Sequence, residues 1–213
     1  MQSKCKVIGI GGEKEAGKDT AAQILIDRHG YTRFALADPL KEMCAEAFVI
    51  DLADMHNPIK KEKKFKRKFV AKDEHVYQLL LISDRMGIKP TTQQAKAVLA
   101  SLSGKSFSSI REILQYVGTD VMRKGIADNY WIDLFLAQIK NQTKVVVTDV
   151  RFLNERTLVK KMLGGKLVRI HRNSSAVGEH SSENSLGADA EYDHVLHNDG
   201  TIEELQQKMQ KII

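Results

Sequence analysis

The sequence predicts an α/β fold in which a central parallel sheet is flanked by helices, and three observations carry that prediction. The turn Gly12-Glu13-Lys14-Glu15-Ala16-Gly17-Lys18 completes a G-x-x-x-x-G-K frame directly after the apolar run Val7-Ile8-Gly9-Ile10 and directly before a helix-forming segment. The chain opens in the order strand, helix, strand, helix, which builds parallel sheets. Val145-Val146-Val147 is an unbroken β-branched run that ends in Asp149, the pattern of a strand buried on both faces.

Val7 to Ile10 reads as the first strand and Asp19 to about Arg28 as the helix it feeds, with Ala21, Ala22, Ile24, Leu25 and Ile26 as apolar faces and His29-Gly30 as its close. Tyr31 to Leu36 reads as a second strand, ending at Ala37-Asp38-Pro39 before a helix from Leu40 to about Val49. From about Asp51 to Ser109 the signals are mixed and lack long apolar strands, so this stretch reads as an insertion over the sheet edge. Helical spacing returns at Ile110 to Tyr116, where Arg111 and Gln115 share a face, and Gly118-Thr119-Asp120 reads as a break before another helix-like segment. A helix after Asn129-Tyr130-Trp131 runs through Ile139 to the strand ending at Asp149. Further strands are expected at Lys166 to Ile170 and about Val195 to Leu196, then a terminal helix capped by Thr201.

At 213 residues the chain suits one domain spanning 1–213 with a lysine-rich, helical insertion at about 51–109. Hydrophobic residues make up 42% and charged residues 28%, no apolar run approaches a membrane span, and no signal-peptide core precedes the first strand. A soluble, cytoplasmic protein without a membrane partner is expected. Cys5 and Cys44 have no metal or redox spacing and read as buried thiols. The net charge of +6 is compatible with nucleic acid or with small phosphorylated ligands. Its excess is concentrated in Lys60, Lys61, Lys63, Lys64, Lys66, Arg67, Lys68 and Lys72, a solvated helix face or loop by the plain reading and a segment closing over a substrate by the sharper one.

The chemistry centres on the glycine loop. A strand, a glycine-rich turn and a helix N-terminus place backbone N–H groups around a hollow suited to a polyphosphate. Lys18 would reach the outer phosphates, while Gly12 and Gly17 let the backbone wrap. Asp19 stands where a hydroxyl residue usually meets Mg²⁺, and the hydroxyl arrives one residue later at Thr20. Glu13 and Glu15 are unusual in an anion site and must point away from it or hold a cation. Asp149 is placed to hold Mg²⁺ directly or through water, or is a solvated strand-end acid. Arg151 could grip a phosphate bidentately or pair with Glu155 four residues on. Asp38 is either a base or orienting group, or a cap for the helix after Pro39. Trp131 could stack on a base, although core packing is the stronger reading. The segment His180-Ser181-Ser182-Glu183 suggests a hydrolytic or metal site, but it has neither a nucleophile elbow nor a second histidine at ligand spacing. His194 and His197 read as surface or packing residues.

Taken together, Gly17-Lys18-Asp19-Thr20, Leu36-Ala37-Asp38-Pro39-Leu40-Lys41, the block from Arg111 to Asp120, Tyr130-Trp131, the block from Asp149 to Glu155, His180-Ser181-Ser182-Glu183 and Asn198-Asp199-Gly200-Thr201 resemble the deoxynucleoside monophosphate kinases of tailed bacteriophages. The resemblance covers most of the chain outside about 51–109. It implies a P-loop kinase three-layer sandwich with a helical substrate-binding insertion. It also implies transfer of the γ-phosphoryl of ATP to a deoxynucleoside 5′-monophosphate, with Mg²⁺, in the host cytoplasm and for phage DNA synthesis. On this resemblance Gly12, Lys14, Ala16, Gly17, Lys18, Asp19 and Thr20 bind ATP, and Thr20 with Asp149 places the metal. Asp38, Leu40, Lys41, Arg111, Gln115, Gly118, Thr119, Asp120, Trp131, Asp149, Arg151 and Glu155 are carried to the monophosphate, with Lys18, Arg111 and Arg151 as catalytic cations. A homodimer is the implied assembly. The alternatives are a P-loop kinase with a hydroxyl acceptor, similar to dephospho-coenzyme A kinases with Asp38 as base, and a P-loop module whose basic run holds nucleic acid.

Overall fold

The computed structural model describes residues 5–173 and 186–213. The segment His180-Ser181-Ser182-Glu183 lies outside them. In chain order, β1 (Lys6–Gly12) leads through the glycine loop into α1 (Lys18–His29), followed by β2 (Thr32–Phe34) and α2 (Asp38–Phe48). Next come α3 (Leu52–His56), α4 (Pro58–Glu62), β3 (Lys64–Val70), α5 (Asp73–Arg85), α6 (Thr92–Leu102) and β4 (Ser106–Ser109). Helix α7 (Ile110–Gln115) continues into a π-helical segment (Tyr116–Arg123), and α8 (Tyr130–Ile139) leads to β5 (Lys144–Val147). The order ends with α9 (Leu153–Thr157) and its π-helical extension (Leu158–Met162), β6 (Lys166–His171), a 3-10 turn (Asp189–Glu191), β7 (His194–His197) and α10 (Ile202–Gln210). The chain divides into two compact units, one from Met1–Leu36 with Phe135–Ile213 and the other from Ala37–Leu134.

The first unit holds a five-stranded sheet in the order β2-β5-β1-β6-β7, with every pairing parallel. Parallel neighbours need crossovers, and the helices that make them cover both faces. On one face Ile8, Ile10, Val146, Val168 and Ile170 pack with Ala21, Ala22 and Leu25 of α1 and Leu205 and Met209 of α10. Each fully buried aliphatic side chain of this kind contributes about 1.5–3 kcal/mol. On the other face Gly9 meets Leu167, Val150 and Val159, the last from the extension of α9. Helix α1 closes at Gly30, whose left-handed backbone lets its N–H reach the carbonyls of Ile26 and Leu25. The predicted central sheet flanked by helices is therefore present. So are the strands around Lys166 and Val195 and the Thr201 cap, whose hydroxyl accepts from the Glu204 N–H.

The second unit has its own core, in which Met43, Phe48, Leu79, Ile82, Phe107, Ile113, Val117 and Tyr130 are buried together. Two expectations for this part of the chain need correction. The lysine run is neither a loop nor a helix face throughout, because Lys64 to Val70 form a strand paired antiparallel with β4. Phe65 and Phe69 are half-buried and pack against the core, and the charged side chains between them are exposed. The stretch 51–109 is thus largely but not wholly helical. Gly118-Thr119-Asp120 does not break a helix either, since the backbone passes through it as the π-helical segment, held by buried Val117, Val121 and Met122. Single π turns inside helices are frequent at functional sites. Cys44 is fully buried, which pushes its thiol pKa up, while Cys5 is half-buried with a thiol also raised by burial.

Candidate functional site

The glycine loop leaves the sheet at the carboxyl end of β1, and local sterics explain its glycines. Gly12 has φ of 150°, and a Cβ there would lie 2.4 Å from the Ile170 carbonyl oxygen on the neighbouring strand. Gly17 has φ of 99°, and a Cβ there would lie 2.3 Å from Asn198 Nδ2. That amide donates to the Ala16 carbonyl at 2.9 Å, tying the loop to the chain that follows β7. Lys18 Nζ donates to the carbonyls of Gly12 at 2.9 Å and Glu13 at 2.6 Å, so the lysine lies along the loop's inner edge. Ala16 is fully buried and Lys14 is exposed.

In front of the loop an open hollow of about 410 Å³ is lined by Glu15, Gly17, Lys18, Asp19, Thr20 and Arg172. Its volume falls in the range of roughly 300–1,000 Å³ usual for small-molecule sites. The first turn of α1 forms its floor, and first-turn amides have no acceptor within their own helix. Together with the helix dipole they favour an anion there. Glu13 is absent from this lining. Its carboxylate turns to β6, where Oε1 pairs with Arg169 Nη2 at 3.0 Å and Oε2 lies 3.4 Å from His171 Nδ1. Burial raises the pKa of this carboxyl, but hydrogen bonds from its own backbone N–H and from Arg169, with the nearby His171 and Arg169 charges, outweigh burial and hold it below the usual glutamate range. Glu15, in contrast, faces the hollow, with φ of 65°.

Asp149 leaves β5 at the same sheet edge, because β5 is the neighbour of β1. Its Oδ1 accepts from the Leu36 N–H at 2.8 Å, which fixes the carboxylate beside the end of β2. Thr20 and Asp149 offer a hydroxyl and a carboxylate oxygen, hard donors of the kind Mg²⁺ takes when phosphates and waters complete its shell. Arg151 and Glu155 follow. The buried Glu155 carboxylate accepts from the backbone N–H groups of Arg151 at 2.8 Å and Phe152 at 3.0 Å, so it caps the start of α9.

The remaining predicted residues belong to the second unit. Asp38 opens α2 and accepts from Lys41 Nζ at 2.7 Å; the N-cap position is Ala37, so Asp38 is not the cap. Leu40 lies against Gly118, where a Cβ would come within 2.7 Å of Leu40 Cδ2. Trp131 is buried, edge-on to Tyr130 with ring centroids 4.7 Å apart, and its Nε1–H donates to the Gly118 carbonyl at 3.0 Å. Leu40, Gly118 and Trp131 are therefore brought together, and the tryptophan is core. Arg111 forms a forked contact with Glu62 Oε1, at 3.0 Å from Nε and 2.8 Å from Nη2, while Gln115 lies one turn on, half-buried. Thr119 is half-buried, and Asp120 pairs with Lys124 at 2.7 Å on the surface. Sequence reasoning gave no individual role to Arg169, His171, Arg172 or Asn198. They meet the loop only through strand pairing and chain return, which leave no local signal.

The family model described as deoxynucleotide monophosphate kinase matches residues 6–76 and 63–209. A protein of Acanthamoeba polyphaga mimivirus, provisionally named a deoxynucleotide monophosphate kinase, is 34% identical over 93% of this chain and 91% of its own length. The deoxynucleotide monophosphate kinase of Enterobacteria phage T4 is 21% identical, with 98% of each chain covered. Among solved structures, a dephospho-CoA kinase from Campylobacter jejuni is similar at 12% identity and a TM-score of 0.41, over 97% of this chain and 94% of that one.

Proposed function

This chain belongs to the deoxynucleotide monophosphate kinase family, and on that premise we propose how it transfers a phosphoryl group from ATP to a deoxynucleoside 5′-monophosphate. The observation that carries the reading is the hollow at the α1 N-terminus, lined by Lys18 and Thr20, in a chain that matches the family from residue 6 to residue 209. In this proposal the amides from Gly12 to Thr20 and the Lys18 ammonium hold the ATP phosphates, with Lys14, Ala16 and Asp19 completing the loop. Thr20 and Asp149 would hold Mg²⁺, which would supply charge neutralisation on the phosphates when bound.

For the acceptor, Arg111 and Arg151 are proposed as phosphate ligands, since guanidinium forks match phosphate oxygens. Asp38, Leu40, Lys41, Gln115, Gly118, Thr119 and Asp120 are proposed to shape and orient the nucleoside, supported from the core by Trp131 and at the start of α9 by Glu155. A phosphate acceptor is already anionic, so no general base is needed. Asp38 then orients rather than abstracts, and Asp38→Asn should cost far less than a missing base would, given the ~10²–10⁴-fold such groups contribute. Phosphoryl transfer of this kind rests on positioning and charge neutralisation. We further propose that the enzyme serves deoxynucleotide supply in a host cytoplasm, that residues 51–109 act as a substrate-binding insertion, and that the chain functions as a homodimer. ADP release measured with and without each monophosphate tests the function. Release that depends on a deoxynucleoside monophosphate is expected, and release indifferent to every monophosphate would contradict it.

A further inference from the structure

A carboxylate within a phosphate-binding loop opposes its ligand unless it is turned away and neutralised. Glu13 meets both conditions through one side of β6. Arg169 and His171 are two residues apart on that strand and so share a face. Arg169 pairs with Glu13 Oε1 at 3.0 Å, and His171 stands 3.4 Å from Oε2. Behind them, Asp189 Oδ1 lies 3.1 Å from Arg169 Nη1 and 2.9 Å from His171 Nε2, and Arg169 Nη1 also donates to the Gly187 carbonyl at 2.6 Å. The Glu13 and Arg169 side chains are only 21% and 12% exposed. Glu13 Oε2 and Arg169 Nε are fully buried with no hydrogen-bond partner among the described residues, so each depends on this pairing for its compensation. The same residue also touches the donor site, because its backbone carbonyl accepts from Lys18 Nζ at 2.6 Å.

We infer that Glu13 is a positioning residue: its carboxylate, paired with Arg169 and set beside His171, fixes the carbonyl that stations Lys18, so the loop meets the phosphates of ATP already shaped. This rests on the reading of the loop as the ATP site. The geometry separates the two ends of one residue, the carboxylate anchored in the sheet and the carbonyl holding the cation. Losing the anchor should loosen the loop without touching the nucleoside acceptor.

The test is calorimetric titration of a non-hydrolysable ATP analogue into the full chain, with KM measured for both substrates. Glu13→Gln keeps the shape and removes the charge; it should weaken the analogue about tenfold, the equivalent of one charge-assisted hydrogen bond, and leave the monophosphate KM within about twofold. Arg169→Met should do the same, and the double variant should add little, because the two act as one unit. Arg169→Lys, which keeps the charge, should retain most of the affinity. Analogue affinity unchanged in Glu13→Gln would overturn the inference, as would a parallel rise in both KM values. If the unaltered chain failed to bind the analogue, the ATP-site reading itself would fall, and that result is distinct from an inert Glu13.

Discussion

The Asn198 side-chain amide donates to the Ala16 carbonyl at 2.9 Å, so a residue just beyond the last strand holds the phosphate loop from 182 positions away in sequence. The amide is buried and lies where a Gly17 Cβ would have to go. Asn198→Ala should leave the Ala16 carbonyl without its partner and raise the ATP KM by about tenfold, at roughly 1–2 kcal/mol for a lost buried hydrogen bond. Steady-state kinetics at saturating monophosphate checks this, and an unchanged KM would dissociate Asn198 from the loop.

Gly12→Ala should be far more damaging than Gly30→Ala. At Gly12 the added methyl meets a backbone oxygen of β6, which cannot step aside, whereas at Gly30 there is nothing within 4 Å and only the left-handed backbone resists. A fluorescent ATP analogue should lose measurable binding to Gly12→Ala. It should bind Gly30→Ala normally, with a stability loss of about 1 kcal/mol from the strained φ.

Acid should weaken the clamp under the loop. The folded-state pKa of Glu13 lies below its unfolded value, so its contribution to stability is fully present above the unfolded pKa and is lost as pH falls through the folded pKa. Denaturant midpoints measured from pH 6 down to pH 3 should therefore fall more steeply for the unaltered chain than for Glu13→Gln. Equal slopes would show that this carboxylate does not gain from its partners on folding.

In the second unit, Tyr130 OH donates to Ser83 Oγ at 2.8 Å, and Ser83 Oγ donates to the Ile88 carbonyl at 2.6 Å. Both side chains are fully buried. Ser83→Ala orphans a buried hydroxyl and a carbonyl at once and should cost about 1–3 kcal/mol. Tyr130→Phe on that background should add less than it does alone. Thermal unfolding of the single and double variants measures the coupling, and strict additivity would contradict the chain of bonds.

The parts of the fold that were legible in sequence are those whose signals are local. Val7 to Ile10, the glycine frame and Gly30 carry strand, turn and cap chemistry in their own residue types, and Thr201 announces its helix in the same way. The strand Lys64–Val70 was hidden because its alternation runs through lysines and Arg67, with Phe65, Phe69 and the terminal Val70 as its apolar marks. Gly118 was misread as punctuation because its tolerance in a π-helical backbone comes from Leu40 and Trp131 packed against it. At the candidate site, Lys18 and Thr20 were legible from spacing. Arg169, His171 and Asn198 were not, since strand order alone brings them to the loop.

The most direct test of the central claim follows the γ-phosphoryl itself. With γ-labelled ATP and Mg²⁺, each deoxynucleoside monophosphate in turn should yield a labelled deoxynucleoside diphosphate, and the label should disappear from that product in Lys18→Met. Label found only in inorganic phosphate, with no labelled diphosphate from any monophosphate, would contradict the account.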